Sequence, residues 1–430
     1  MTSNSLLLRS LRSVFTTANS RSQRPRNGFS NSLSSTIEVV EERCLLSVAN
    51  AWIAQGPAPS QAGQVENIAN GEVIGAIHTV VTHPANANIV YIGGSNGGIW
   101  KSTNATAAAP TWTPLTDSLP SLSIGAMQLD PTDTTSETLV AGVGRYSSFT
   151  REGGARTGIY KTTDGGTNWT VLNGGGTLVG KNISGVAARG NTIVVSVNSA
   201  DNFDLANIGI FRSTNGGATF TRMSVGNGSG ATGLPEGASY DLASDPANNA
   251  ILYTSIVFNN TASNNGIYKS VDTGATWTKV SDAAIDALIS NNTSNLEITV
   301  GTSDNVYAAI INNGNPEGIF RSGNGGVTWT QMDTPQTNEN GTDVGLNPRG
   351  RKGPGPGSSP EEIAGGQGSI HFSIVADPAN ANIVYVGGDR QPSAFGDTGS
   401  FPNSIGADDY AGRLFRGDAA AAAGSQWVHL

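Results

Sequence analysis

The stretch Gly158–Leu172, GIYKTTDGGTNWTVL, decides the fold. GIYKT alternates apolar and polar residues as a half-buried strand does, the Asp-Gly-Gly run supplies a tight turn, and Trp169 opens a returning strand. Asp164 can accept backbone N–H bonds inside its own turn, while Gly165 and Gly166 tolerate a positive φ without a clashing Cβ. The predicted unit is a self-capped β-hairpin. It recurs as GIWKSTNATAAAPTWTPL from Gly98, GIFRSTNGGATFTRM from Gly209, GIYKSVDTGATWTKV from Gly266, GIFRSGNGGVTWTQM from Gly318 and GRLFRGDAAAAAGSQWVHL from Gly412. Six copies make the chain a repeat protein.

Upstream of each hairpin lie an apolar strand, often an Asp-Pro or His-Pro turn, and a strand of the type NIVYIGG. Four strands per unit predict an all-β propeller of four-stranded blades. The expected blades run over about 74–115, 122–172, 181–223, 238–280, 294–332 and 369–430, within a repeat domain at 51–430. Two Gly-, Pro- and Asn-rich insertions, 333–368 and 389–411, read as loops or partly disordered segments.

The pattern Ser/Thr-x-Asp/Asn-x-Gly-x-Thr-Trp/Phe, met by SVDTGATW at Ser270–Trp277 and nearly by TTDGGTNW, resembles the Asp-box or BNR repeat of sialidases, xyloglucanases and sortilin-type receptors. The resemblance implies a β-propeller. It covers about residues 51–430, with four well-formed boxes and degenerate ones after Ser102 and Arg416. The box positions Asp164, Trp169, Asn215, Phe220, Asp272, Trp277, Asn324 and Trp329 read as structural, because Asn at two of them accepts the same bonds but is no carboxylate.

Composition agrees with many short strands. Of 430 residues, 37% are hydrophobic, 13% charged and 56 are Gly, which leaves little helix to expect. The net charge of −9 and the lack of a basic stripe argue against a nucleic-acid partner. One cysteine, Cys44, excludes an internal disulfide framework, and no run is apolar and long enough to span a membrane.

Residues 1–50 differ from the rest: Arg9, Arg12, Arg21, Arg24 and Arg26 sit among Ser, Asn and Thr without apolar periodicity, so a disordered leader is expected. Its end, VEERCLLS at Val40–Ser47, resembles the LEPR-XLL segment near the start of large bacterial surface proteins, departing by Val40 and Glu42. That likeness implies export to the cell surface or medium. AWIAQGPAP at Ala51–Pro59 resembles the Trp-x-x-x-Gly-Pro opening of Asp-box propellers. Six complete units plus this orphan outer strand predict an incomplete seven-bladed ring, with most of a seventh blade missing beyond Leu430 or lost to truncation, and blades 1 and 6 not meeting as a packed pair.

Strands that run up and down send alternate connections to opposite faces. The box turns fall on one face; the loops between second and third strands and the links between blades fall on the other, where the resemblance places ligands near the axis. On that second face, Arg145, Tyr146, Arg151 and Arg156, with His371, Arg390 and Tyr410, are the candidate ligand-binding residues. Aromatic rings and guanidinium groups together suit a sugar or a carboxylate, although a solvated loop closed by its own salt bridges has the same composition. No catalytic residue is assigned. Acidic candidates for a hydrolase are Glu152, Asp389, Asp408 and Asp409. No cofactor is expected; the same Asp residues are those a Ca²⁺ ion would use, but their spacing matches no EF-type loop. The four histidines show no zinc spacing.

The Arg-Ile-Pro opening of sialidases and the Arg-Thr-Asp-x-Gly-Gly-type motif of xyloglucanases are both absent, and the sequence offers no convincing pair of carboxylates across a sugar bond. The function expected is a secreted or cell-surface binding or structural module for a polysaccharide or cell-surface glycan. A glycoside hydrolase of sialidase or xyloglucanase type is the alternative.

Overall fold

The computed structural model describes residues 56, 76–146, 153–226, 232–339, 342–346, 368–390 and 411–430. Six four-stranded antiparallel sheets form the blades of a β-propeller ring. Blade 1 holds β1 (Ile77–Thr82), β2 (Val90–Gly94), β3 (Gly98–Ser102) and β4 (Thr113–Pro114); blade 2 holds β5 (Ile124–Leu129), β6 (Leu139–Val143), β7 (Ile159–Thr162) and β8 (Thr170–Leu172). Blade 3 holds β9 (Lys181–Arg189), β10 (Thr192–Ala200), β11 (Gly209–Ser213) and β12 (Thr221–Arg222). Blade 4 holds β13 (Leu242–Ser244), β14 (Leu252–Ile256), β15 (Gly266–Ser270) and β16 (Thr278–Lys279). Blade 5 holds β17 (Thr293–Val300), β18 (Val306–Asn312), β19 (Asn315–Ser322) and β20 (Thr330–Gln331). After a hairpin of β21 (Gln336–Glu339) and β22 (Thr342–Gly345), blade 6 holds β23 (Ser373–Ala376), β24 (Ile383–Arg390), β25 (Ala411–Asp418) and β26 (Trp427–His429). Two α-helices of one turn complete the described elements: α1 (Ala283–Asp286) and α2 (Gly368–His371).

The first insertion thus contains a hairpin where loop was expected. Its strands flank Asn340-Gly341, a turn-favouring pair that the surrounding Gly and Pro concealed. The leader, the second insertion and Ala51–Pro59, apart from Gly56, lie outside the described residues.

The core is divided between blades. Five hydrophobic clusters fill the interfaces 1–2, 2–3, 3–4, 4–5 and 5–6: Tyr91 and Ile99 meet Ile124 and Leu139, for example, and Tyr307 and Ile311 meet Val384 and Phe415. Among the described residues no sixth cluster joins blade 6 to blade 1.

Each well-formed turn between third and fourth strands is closed by its own side chains. In blade 4, Ser270 Oγ accepts from the Asp272 and Gly274 N–H groups at 3.3 and 2.8 Å, and Asp272 Oδ1 accepts from Thr276 N–H at 2.8 Å. Trp277 is buried, and its indole N–H donates to the Gly274 carbonyl. Asn215 and Asn324 make the same backbone bond to Thr219 and Thr328. Phe220 is buried beneath its turn; Trp329 is half-buried, as is Trp169, and its indole reaches the Val280 carbonyl of blade 4.

A second device ties blades 1, 3, 4 and 5 each to the next. Tyr91 on β2 and Lys101 on β3 stand directly across from one another, and both donate to the carbonyl of Gly165, the first residue after Asp164 in the turn of blade 2. In blade 4, Tyr253 and Lys269 do the same to Gly325 of blade 5, each at 3.1 Å. In blade 3, Arg212 donates to the corresponding Thr273 carbonyl of blade 4 at 2.8 Å. In blade 5, Tyr307 donates to the Ala381 carbonyl and Arg321 to Asn382 Oδ1, both in blade 6. A buried carbonyl without a donor is costly, so each clamp supports the interface beneath it.

Candidate functional site

The loop after β6 carries the most developed cluster. Arg145, Tyr146 and Arg156 come together there, on the face opposite the turns. Tyr146 lies between Gly125 and Gly144, where an added Cβ would stand 2.5 and 2.4 Å from its ring; only glycine leaves space for this aromatic. Its hydroxyl donates to the Ile183 carbonyl of β9 at 2.9 Å, and its ring stacks on His78 of β1, with centroids 4.2 Å apart and planes inclined by 17°. Burial holds the His78 pKa down at about 4, so the imidazole is neutral at physiological pH and the stack carries no charge of its own.

The arginines around this platform are engaged by protein groups. Arg145 Nε donates to the Gly154 carbonyl at 3.0 Å, and Arg156 forms an ion pair with Asp201. The Nε of Arg156 is buried without a partner. The cluster therefore presents a fixed aromatic ring framed by guanidinium groups, three blades contributing side chains to it.

The other sequence candidates are placed apart or lie outside the described residues. His371 ends helix α2, two residues before the innermost strand β23. Asp389 and Arg390 end β24, paired with Gly412 and Ala411. Arg151, Glu152, Asp408, Asp409 and Tyr410 lie outside the described residues.

A feature missed in the sequence lies inside the ring. Asp241 immediately precedes β13 and Glu297 is central in β17; both carboxyl-bearing residues keep part of their surface accessible although protein surrounds them. Asp241 Oδ2 accepts from the Ile298 N–H at 2.7 Å, and Glu297 Oε1 accepts from Asn295 Nδ2 at 2.7 Å. Desolvation raises the Asp241 pKa to about 6; desolvation and the Asp241 charge raise Glu297 to about 8. Both carboxyls thus hold a proton to higher pH than an ordinary carboxylate does, as a pair sharing one buried site. The available signal was a lone acid on the predicted innermost strand, in SYDLAS and in SNLEITV.

A shallow cleft of about 330 Å³ opens elsewhere, between the end of blade 5 and the last strand of blade 6, lined by Asp333, Thr334, Gln336, Gly424, Gln426 and Trp427. Asp333 is consumed by bonds to Gly424 and Gln426 N–H groups, so the cleft is mainly a seam between segments. No described helix is long and apolar enough to cross a membrane.

Comparison with known proteins gives one sequence relative of note. A xyloglucanase of Hypocrea jecorina is 26% identical over 247 residues, covering 50% of this chain and 27% of the relative, so this chain spans about a quarter of the length of that relative. No protein-family profile matches. Among solved structures, the GH74 xyloglucanase of Xanthomonas campestris superposes with a TM-score of 0.48 and 16% identity over 83% of this chain and 45% of the other. YCF48 of Cyanidioschyzon merolae superposes with a TM-score of 0.43 and 10% identity over 83% of this chain and 85% of the other.

Proposed function

We propose that this propeller binds polysaccharide of the β-glucan class outside the cytoplasm, on the face formed by the loops after second strands. The observation that carries the reading is the Tyr146 platform. A ring held in a glycine cradle and stacked on a neutral His78 offers a rigid apolar surface to the C–H face of a sugar, with guanidinium groups at its margin. The likeness of half the chain to a xyloglucanase supports a glucan as ligand. Affinity electrophoresis of the purified protein in gels containing xyloglucan tests it: migration is retarded, and Tyr146→Ala abolishes the retardation while the melting temperature stays within a few degrees. Unchanged migration in xyloglucan and in other β-glucans overturns the reading.

Hydrolysis is a second reading, favoured by Asp241 and Glu297. Two carboxyl groups of separated pKa are what acid–base cleavage of a glycosidic bond requires. Release of reducing ends from xyloglucan, lost in Glu297→Gln, would support it.

A further inference from the structure

Blade 6 carries the same paired clamp as blades 1, 4 and 5, without a partner among the described residues. Tyr385 on β24 and Arg416 on β25 stand directly across from one another, in the register of Tyr91 with Lys101 and of Tyr253 with Lys269. Tyr91, Tyr253 and Tyr307 are at most 1% exposed, whereas Tyr385 is half-buried, and neither it nor Arg416 has a hydrogen-bond partner among the described residues. The sheet surface around them is apolar. Val375, paired with Tyr385, is 57% exposed, and Leu430 is 50% exposed, whereas Met223 and Met332, at the position of Leu430 in blades 3 and 5, are buried.

The opposite flank of the ring shows the complementary half. Val80 of β1 points away from blade 2 and is 59% exposed. The residues at its position in the next four blades, Met127, Val186, Leu242 and Ile298, are all buried against the blade before them. Among the described residues, blade 1 thus has no predecessor and blade 6 no successor, each on a face that is covered at the interfaces between the other blades.

We propose that the outward face of β23–β26 docks one further four-stranded blade, with Tyr385 and Arg416 donating to the carbonyl that follows the Asp or Asn of its turn. The chemistry of the occupant is set by the internal interfaces. At blades 1, 3 and 4 the acceptor is always a main-chain carbonyl at the first turn position, and all three acceptors, Gly165, Thr273 and Gly325, are residues of positive φ, 67°, 56° and 67°. Such a backbone turns its carbonyl outward, away from its own sheet. A flat apolar surface alone would take many partners; the paired hydroxyl and guanidinium select a hairpin with this turn.

The test extends the intact chain at Leu430 with a second copy of its own residues 224–280, which carry a well-formed turn. Hydrogen exchange at β23 and β26 is expected to slow by about tenfold or more, the factor that about 1.4 kcal/mol of local stability gives. Arg416→Ala should reverse the protection in the extended chain and leave the melting midpoint of the 430-residue chain unchanged. Equal exchange with and without the extension, or an equal effect of Arg416→Ala in both chains, overturns the proposal. The unextended chain gives a second reading that needs no added blade to fold. Carbene footprinting should label Val375, Tyr385 and Leu430; their protection in a monomer would mean that blade 6 closes on blade 1, and their protection in a dimer would make a second copy the occupant, either of which overturns it.

Discussion

Asp241 and Glu297 share a stretch of backbone: the carboxylate of the first accepts the N–H of Ile298, the residue next to the second. The tie crosses from blade 4 to blade 5 and brings the charge of Asp241 against Glu297. Both folded-state pKa values are raised above the ordinary carboxylate range, so between about pH 4 and pH 8 the folded chain binds more protons than the unfolded one. The stability these groups contribute is present at low pH and lost as pH rises through that window. Urea midpoints should therefore fall from about pH 5 to about pH 8, and Glu297→Gln should flatten the slope while keeping the acceptor for Asn295. A slope unchanged by that substitution would remove the pair as its cause.

The turns should carry stability. Trp277→Ala deletes a buried indole and its bond to Gly274, with an expected cost of about 3–5 kcal/mol. Asp272→Asn should cost less than about 1 kcal/mol, because Asn215 and Asn324 already hold the equivalent turns by the same backbone bond. Equilibrium denaturation of both variants distinguishes the two.

The clamps make a separate forecast. Tyr253→Phe removes one of two donors to the Gly325 carbonyl and should destabilise by about 1 kcal/mol; Tyr385→Phe, which removes no bond, should be silent. A matched loss in both would show that the hydroxyl acts through something other than the carbonyl.

Gly144→Ala tests the aromatic platform without touching it. The new methyl would sit 2.4 Å from the Tyr146 ring and 2.8 Å from the Ile183 carbonyl, so the ring must leave its place on His78. Retardation in xyloglucan gels should be lost as for Tyr146→Ala, with a lower melting temperature from the crowding of the new methyl.

Much of this was readable beforehand, and the parts that were not share a cause. The hairpin and its glycines are local: Asp164, Gly165 and Trp169 fall within one turn and signal one another in the sequence. The aromatic and basic residues in GIYK and GIFR are equally regular, yet their task is invisible, because the carbonyl that Lys101 serves lies 64 residues further on. Asp241 and Glu297 are two isolated acids in different repeats, joined only when blades 4 and 5 pack.

The clamps always reach forward along the chain. Lys101, Arg212, Lys269 and Arg321 each grasp a group synthesised later than themselves, and none of these bonds runs the other way. As the polypeptide emerges, blades 1, 3, 4 and 5 already have their donors in place, and the group each one grasps arrives while the next sheet is still being completed. Assembly is thereby given a direction, from the amino terminus onward, and each sheet serves as the template on which its successor is laid.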